Sequence, residues 1–200
     1  MHSKNSELMQ MARESLKGKW GLAVGTFLIY MLILGVAGAR QFYGIFSLLI
    51  GGPLALGSCI FSLSIARNQN AKFDQLFEGF EFYGKALATH LLMILYILLW
   101  ALLLIIPGII KAIGYSMVFF IIADDRSISP NDALKKSEMM MNGHKGRLFL
   151  LGLWFFLLIF LSVFTLFIGL LWLIPYYYVT LAKFYDDING RDNINPEAII

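Results

Sequence analysis

Between Leu148 and Ala182 lie 35 residues without a single charge. As one helix this run would be about 52 Å long, at 1.5 Å per residue. A bilayer core is only about 30 Å thick, so the run must fold back on itself. Ser162, Thr165 and Gly169 are its weak points, and a tight turn is expected near residues 165–167.

Three further apolar runs repeat the pattern: 20–39, 43–66 and 86–110, each with charge only at its ends. The chain is 58% hydrophobic and 14% charged, with a mean hydropathy of +0.71. Soluble domains carry nearly twice that share of charge. The sequence therefore reads as an integral membrane protein.

Local breaks divide the runs. At "PGIIK", Pro107 and Gly108 suit a turn and Lys111 can snorkel to an interface. At "ARQFYG", Arg40 and Gln41 are polar and Tyr43 suits the interface. The expected architecture is an all-α, polytopic membrane helical bundle of about six spans: 20–39, 43–66, 87–106, 108–124, 148–165 and 167–185. These pair as three hairpins, and a re-entrant form is an alternative for the last pair. "AGA" at 37–39 resembles a signal cleavage site, but Glu7 and Glu14 precede an overlong apolar stretch, so a retained anchor is expected.

Charge sets the expected orientation. Fourteen of the sixteen basic residues fall in alternate segments, and only Arg40 and Lys111 fall on the other side. The positive-inside rule then places both termini in the cytoplasm.

A motif recurs before each hairpin: "ESLKGKWGL", "FEFYGKALA" and "MMMNGHKGRLF". Each time a short amphipathic segment ends at a glycine, a lysine follows, and an apolar run begins. The chain reads as one membrane domain, 1–200, with internal copies over about 3–69, 70–125 and 129–188 and a short polar tail at 189–200. The apolar stripes are Leu8, Met9, Ala12 and Leu16; Phe73, Leu76, Phe77 and Phe80; and Ala133, Leu134, Ser137, Met140 and Met141. In the third copy Ser129 caps and Pro130 opens the helix. Gly18, Gly84 and Gly143 are the expected elbows between helix and hairpin. Lys17, Lys19, Lys85, Lys135, Lys136, Lys145 and Arg147 are the candidate lipid-headgroup contacts, because anionic lipids attract such residues at about 1 kcal/mol each. Alternatively, the stripes pack on the bundle itself and never touch lipid.

Little points to chemistry. No charge sits at the middle of an expected span, where an ion path would need one. His90 reads as a lone histidine hydrogen-bonded near an interface. Cys59 is the only cysteine and reads as an inert buried thiol. "YDDINGRDN" has oxygen ligands but not calcium-loop spacing, and reads as a solvated tail. Catalytic, metal-binding and cofactor-binding residues are not found, no cofactor is implied, and a nucleic-acid partner is not. Small residues at Gly21, Gly25, Gly44, Gly51, Gly52 and Gly57 suit close helix packing, within the chain or in a homo-oligomer. "GGP" at 51–53 could break the second span, and broken helices are where transporters place sites.

"PGIIKAIGYSMVFFIIADD", "NDALKKSEMMMNGHKGRLFLL" and "PYYYVTLAKFYDD" resemble the integral membrane proteins grouped as domain of unknown function 975, most specifically in "ALKKS…M…GHK…LF". The resemblance implies a multi-span protein of the bacterial inner membrane and supplies no activity. The leading expectation is a non-enzymatic scaffold or accessory protein. Its expected partners are membrane lipid, anionic lipid included, and a partner membrane protein. A small transporter or channel near the second span is the alternative, and a lipid-directed enzyme the third.

Overall fold

The bundle is organised around its second long helix, α3 (Tyr43–Ala66), which packs against six of the nine other described helices. In the computed structural model residues 3–38, 43–162, 164 and 168–190 are described. Around α3 stand α1 (Asn5–Leu16), α2 (Trp20–Gly38), the short α4 (Gln75–Glu78), α5 (Tyr83–Leu103), α7 (Val118–Asp124) and α10 (Leu170–Ile188). The others are α6 (Ile105–Gly114), α8 (Pro130–Met140) and α9 (Lys145–Ser162). The described residues contain helix and turns and no strand.

Small side chains on α3 make this crowding possible. A Cβ at Gly57 would lie 1.9 Å from the Leu76 carbonyl oxygen, and one at Gly79 2.0 Å from the Pro53 carbonyl oxygen. Glycines at both points of contact thus let α4 cross α3 backbone to backbone. Pro53 lies inside α3 without ending it, so "GGP" is a packing site and the expected break in the second span is absent. The deepest side chains, Phe27, Phe61, Phe120, Phe155, Phe184 and Tyr185, fill the space between α2, α3, α7, α9 and α10. Phe120 stacks on Tyr185 with ring centroids 5.6 Å apart.

Four helical stretches are long and apolar enough to cross a membrane: Ser47–Ala66, Tyr83–Leu102, Ile105–Asp124 and Lys145–Ser162. Asn5–Leu16 and Trp20–Gly35 make a further pair, bent by 101°. By length and composition the described residues therefore offer four spans, or five with the bent pair, against the six expected. α10 carries Lys183, Asp186 and Asp187 in its last turns, which shortens its apolar length. The expected turns near 165–167 and at 39–42 lie outside the described residues.

Two turns differ from expectation. The second hairpin reverses at Leu104, whose backbone is extended (φ −159°, ψ 138°), three residues before Pro107. Pro107 and Gly108 instead sit in the first turn of α6, where proline removes no needed hydrogen bond. In the second copy the helix starts at Tyr83 after Phe82, and Gly84 is an ordinary residue of the first turn of α5. Gly18 and Gly143 do turn the chain, with φ of +76° and +83°, the left-handed region glycine tolerates.

The apolar stripes of α1 and α8 face inward. Leu8, Ala12 and Leu16 are fully buried where α1 meets α3 and α10. Ala133, Leu134, Ser137 and Met141 are buried where α8 meets α5 and α7. Ser129 caps α8 by accepting the Asp132 amide at 3.2 Å, and Pro130 opens the helix. Ser137 fastens α8 deeper in: its hydroxyl donates to the Gly114 carbonyl at 2.7 Å and accepts from the Met117 amide at 3.3 Å. The second stripe is weaker, because α4 is a single turn in which Leu76 is buried and Phe77 is exposed.

Candidate functional site

Charged residues far apart in the sequence meet where α3, α7 and α10 end. Arg67 follows the last residue of α3, Asp124 ends α7, and Asp186 lies in the last turn of α10. The guanidinium of Arg67 donates to both carboxylates. Its Nη1 is 2.7 Å from Asp124 Oδ1, and its Nη2 is 2.6 Å from Asp186 Oδ1 and 3.0 Å from Asp124 Oδ2. The Tyr185 hydroxyl donates to Asp124 Oδ2 at 2.9 Å. A planar fork with five donors suits such a double grip, which a lysine could not reproduce. Burial alone would lower the Arg67 pKa, but hydrogen bonds and charge from Asp124 and Asp186 raise it further still, so the cation is permanent.

A second cluster lies beside the first. Arg147, in the first turn of α9, donates to Asp187 at 2.7 Å and to the Ser3 carbonyl. The Ser3 amide donates to the other Asp187 oxygen at 2.9 Å, and Asn5 donates to the Arg147 carbonyl at 2.8 Å. Arg147 also lies over the Phe184 ring, 4.9 Å from its centroid. Burial pulls the Asp187 pKa up, yet the Ser3 amide and the Arg147 guanidinium outweigh it and hold the carboxyl below its ordinary range. This cluster ties the start of the chain to α9 and α10.

Two further pairs complete the set. Lys111 of α6 pairs with Glu138 of α8, and Arg126 pairs with Glu78 of α4 at 2.8 Å. The first of these corrects the charge map. Lys111, assigned from the sequence to the opposite side, lies with α8, which leaves Arg40 alone in that assignment. Outside the clusters, the Ser127 hydroxyl holds the Asp125 carboxyl below its ordinary range.

The candidate headgroup residues divide by environment. Lys17 and Lys135 are exposed, and Lys136 is half-buried. Lys19 donates to the Gln69 carbonyl at 3.3 Å, and Lys85 donates to the Arg126 carbonyl. The Lys145 side chain lies against Gly114, and Arg147 is committed to Asp187. A groove of about 800 Å³ runs between α1 and α9, with Gln10, Arg13 and Lys17 on its polar wall and Leu150 and Trp154 on its apolar wall.

Asp186 and Asp187 correct the reading of "YDD" as part of a solvated tail, since both are nearly fully buried in α10. A signal was present. Val179, Ala182 and Asp186 are spaced for one helical face, so the apolar stripe of α10 points the carboxylate inward. The unforeseeable part was the partner, 119 residues away. His90 packs its ring toward Gly51 and leaves Nδ1 buried without a hydrogen-bond partner among the described residues. Cys59 is buried, and the described residues contain no group of three metal-ligating side chains.

The family model described as protein of unknown function (DUF975) matches residues 1–114 and 102–192. No curated protein and no solved structure matches the chain.

Proposed function

Because the chain belongs to the DUF975 family, whose function is unknown, its role has to be read from its own geometry, and we propose a non-enzymatic membrane scaffold or accessory protein. It engages anionic lipid or a partner membrane protein through the polar end of the bundle. The observation that carries this reading is how the charge is used. The five ion pairs among the described residues each join separate parts of the chain: Arg67 to α7 and to α10, Lys111 to α8, Arg126 to α4 and Arg147 to α10. These pairs tie the ends of α3, α7, α9 and α10 to one another and join α6 to α8. Lys17 and Lys135 remain exposed on the rim of that arrangement. On this reading the protein lies in the bacterial cytoplasmic membrane with both termini and α8 on the cytoplasmic side.

Anionic lipid is attracted at about 1 kcal/mol per basic residue near the surface. The full-length protein in nanodiscs of mixed anionic and zwitterionic lipid should retain anionic lipid on native mass spectrometry. Combined Lys17→Gln, Lys135→Gln and Lys136→Gln should reduce that retention. Unchanged retention would point to a protein partner instead of lipid. Saturable flux of a solute through reconstituted protein would overturn the scaffold reading altogether.

A further inference from the structure

By length alone α5 could cross a bilayer, but polar groups of one side accompany it almost to its end. At its first turn Lys85 donates to the carbonyl of Arg126. Further along, Tyr96 and Tyr115 line a cavity of about 110 Å³ whose other walls are Asn131, Leu134, Lys135 and Glu138 of α8. Near its end the Trp100 ring lies 5.1 Å from the Lys111 ammonium, which is itself paired with Glu138. The segment before α8, then α8, then Lys111 of α6 thus lie beside α5 in turn, at Lys85, at Tyr96 and at Trp100, and Asn131, Asp132 and Lys135 are exposed along α8. Five residues after α8, Lys145 lies against Gly114, and Arg147 is fastened to Asp187 and Ser3. A crossing α5 would carry this whole row of exposed charge into the hydrocarbon, where charged groups facing lipid are costly.

The geometry points to a second hairpin that enters and leaves through one face and inserts into a single leaflet. Beyond Trp100 and Lys111 there remain only residues 101–110, "ALLLIIPGII", without one polar side chain. Leu102 is 88% exposed and Ile105 74%, so the tip presents bare hydrocarbon to its surroundings. Seven residues separate Lys111 from Leu104, about 10 Å of helix. A snorkelling lysine side chain adds about 6 Å. The tip therefore reaches at most about the middle of a 30 Å core. A hairpin ending at the far headgroups would need polar or aromatic residues at its tip. The occupants of this surface are the acyl chains of the leaflet on the α8 side, and the tip acts as a wedge between them. This surface stands apart from the scaffold reading, because it concerns depth and not what the basic rim binds.

The test uses the full-length Cys59→Ala protein in vesicles, with Leu104→Cys or Ile106→Cys as the probe and Lys135→Cys as the marker of sidedness. A fluorophore on Leu104→Cys should be quenched severalfold more by acyl chains brominated in the leaflet on the Lys135 side than in the other. A membrane-impermeant maleimide should reach Lys135→Cys from one side and Leu104→Cys from neither. Labelling of Leu104→Cys from the side opposite Lys135→Cys would overturn the inference, as would quenching mainly from the other leaflet. Quenching from neither leaflet would mean that protein covers the tip, which overturns it equally. Both probe positions are exposed, so loss of folding is not expected, and the two must agree.

Discussion

α3 and α5 are two helices of nearly equal mean hydropathy with opposite fates. In the most apolar stretch of α3, 72% of residues are buried inside the protein, against 11% in α5. The difference lies in side-chain size. α3 reads "GGPLALGSCIFSLSIA" over its inner half, whereas α5 reads "LLMILYILLWALL". In lipid, leucine gains nothing by leaving one hydrocarbon for another, so association follows close packing, and small residues permit it. Hydropathy says that both helices belong with lipid chains, and size says which one belongs at the centre. α9 repeats the α5 pattern, with 22% of its apolar stretch buried and Phe149, Trp154 and Phe156 turned outward.

The largest expected effect comes from unlatching the inner region. Arg67→Met leaves Asp124 and Asp186 buried without their cation and should destabilise the fold by about 3–5 kcal/mol. Denaturation of the purified protein in mixed micelles measures this. Arg67→Lys should recover only part of the loss, because a single ammonium cannot grip two carboxylates as the fork does. Full recovery would show that charge alone suffices.

Next in size is the helix crossing. Gly57→Ala places a Cβ where the Leu76 carbonyl oxygen stands, 1.9 Å away, and should cost about 1–3 kcal/mol. The same denaturation series on Gly21→Ala should move little, since a Cβ at Gly21 meets nothing within 4 Å. Equal effects at the two glycines would break the distinction between inner and outer faces.

A smaller effect should follow pH. The folded Asp187 carboxyl titrates below its unfolded value of about 3.9. Its contribution is then fully present above about pH 4 and is lost as pH falls through the lower, folded value. The unfolding midpoint should therefore drop in acid, and Asp187→Asn should be less stable at neutral pH and flatter below pH 4. A midpoint in Asp187→Asn that falls as steeply as in the parent would assign the acid sensitivity elsewhere.

The smallest effect is expected on the outer face. Leu98 is 61% exposed on α5, and Leu98→Ala should change stability by no more than about 0.5 kcal/mol in the same assay. A loss comparable to that of Gly57→Ala would mean that a partner chain, and not lipid, covers α5.

The sequence by itself determined the all-helical class, the apolar runs that become α2, α3, α5, α6, α9 and α10, and two of the three expected glycine turns, Gly18 and Gly143 but not Gly84. These follow from local causes: the length of charge-free stretches, a serine cap before a proline, and a glycine at the end of an amphipathic turn. Only the tertiary structure decided that Lys111 pairs with Glu138, that the Asp186 and Asp187 carboxylates are buried, and that α3 runs unbroken through Gly51–Pro53. Each of those depends on a partner far along the chain: Glu138 for Lys111, Arg67 for Asp186, and the close approach of α4 and α5 for the glycines of α3. Hydropathy weighs each residue against its solvent, and a charge paired inside the fold has exchanged that solvent for another side chain. A one-dimensional pattern therefore carries the segments, while the pairing of their ends is a property of the packed bundle.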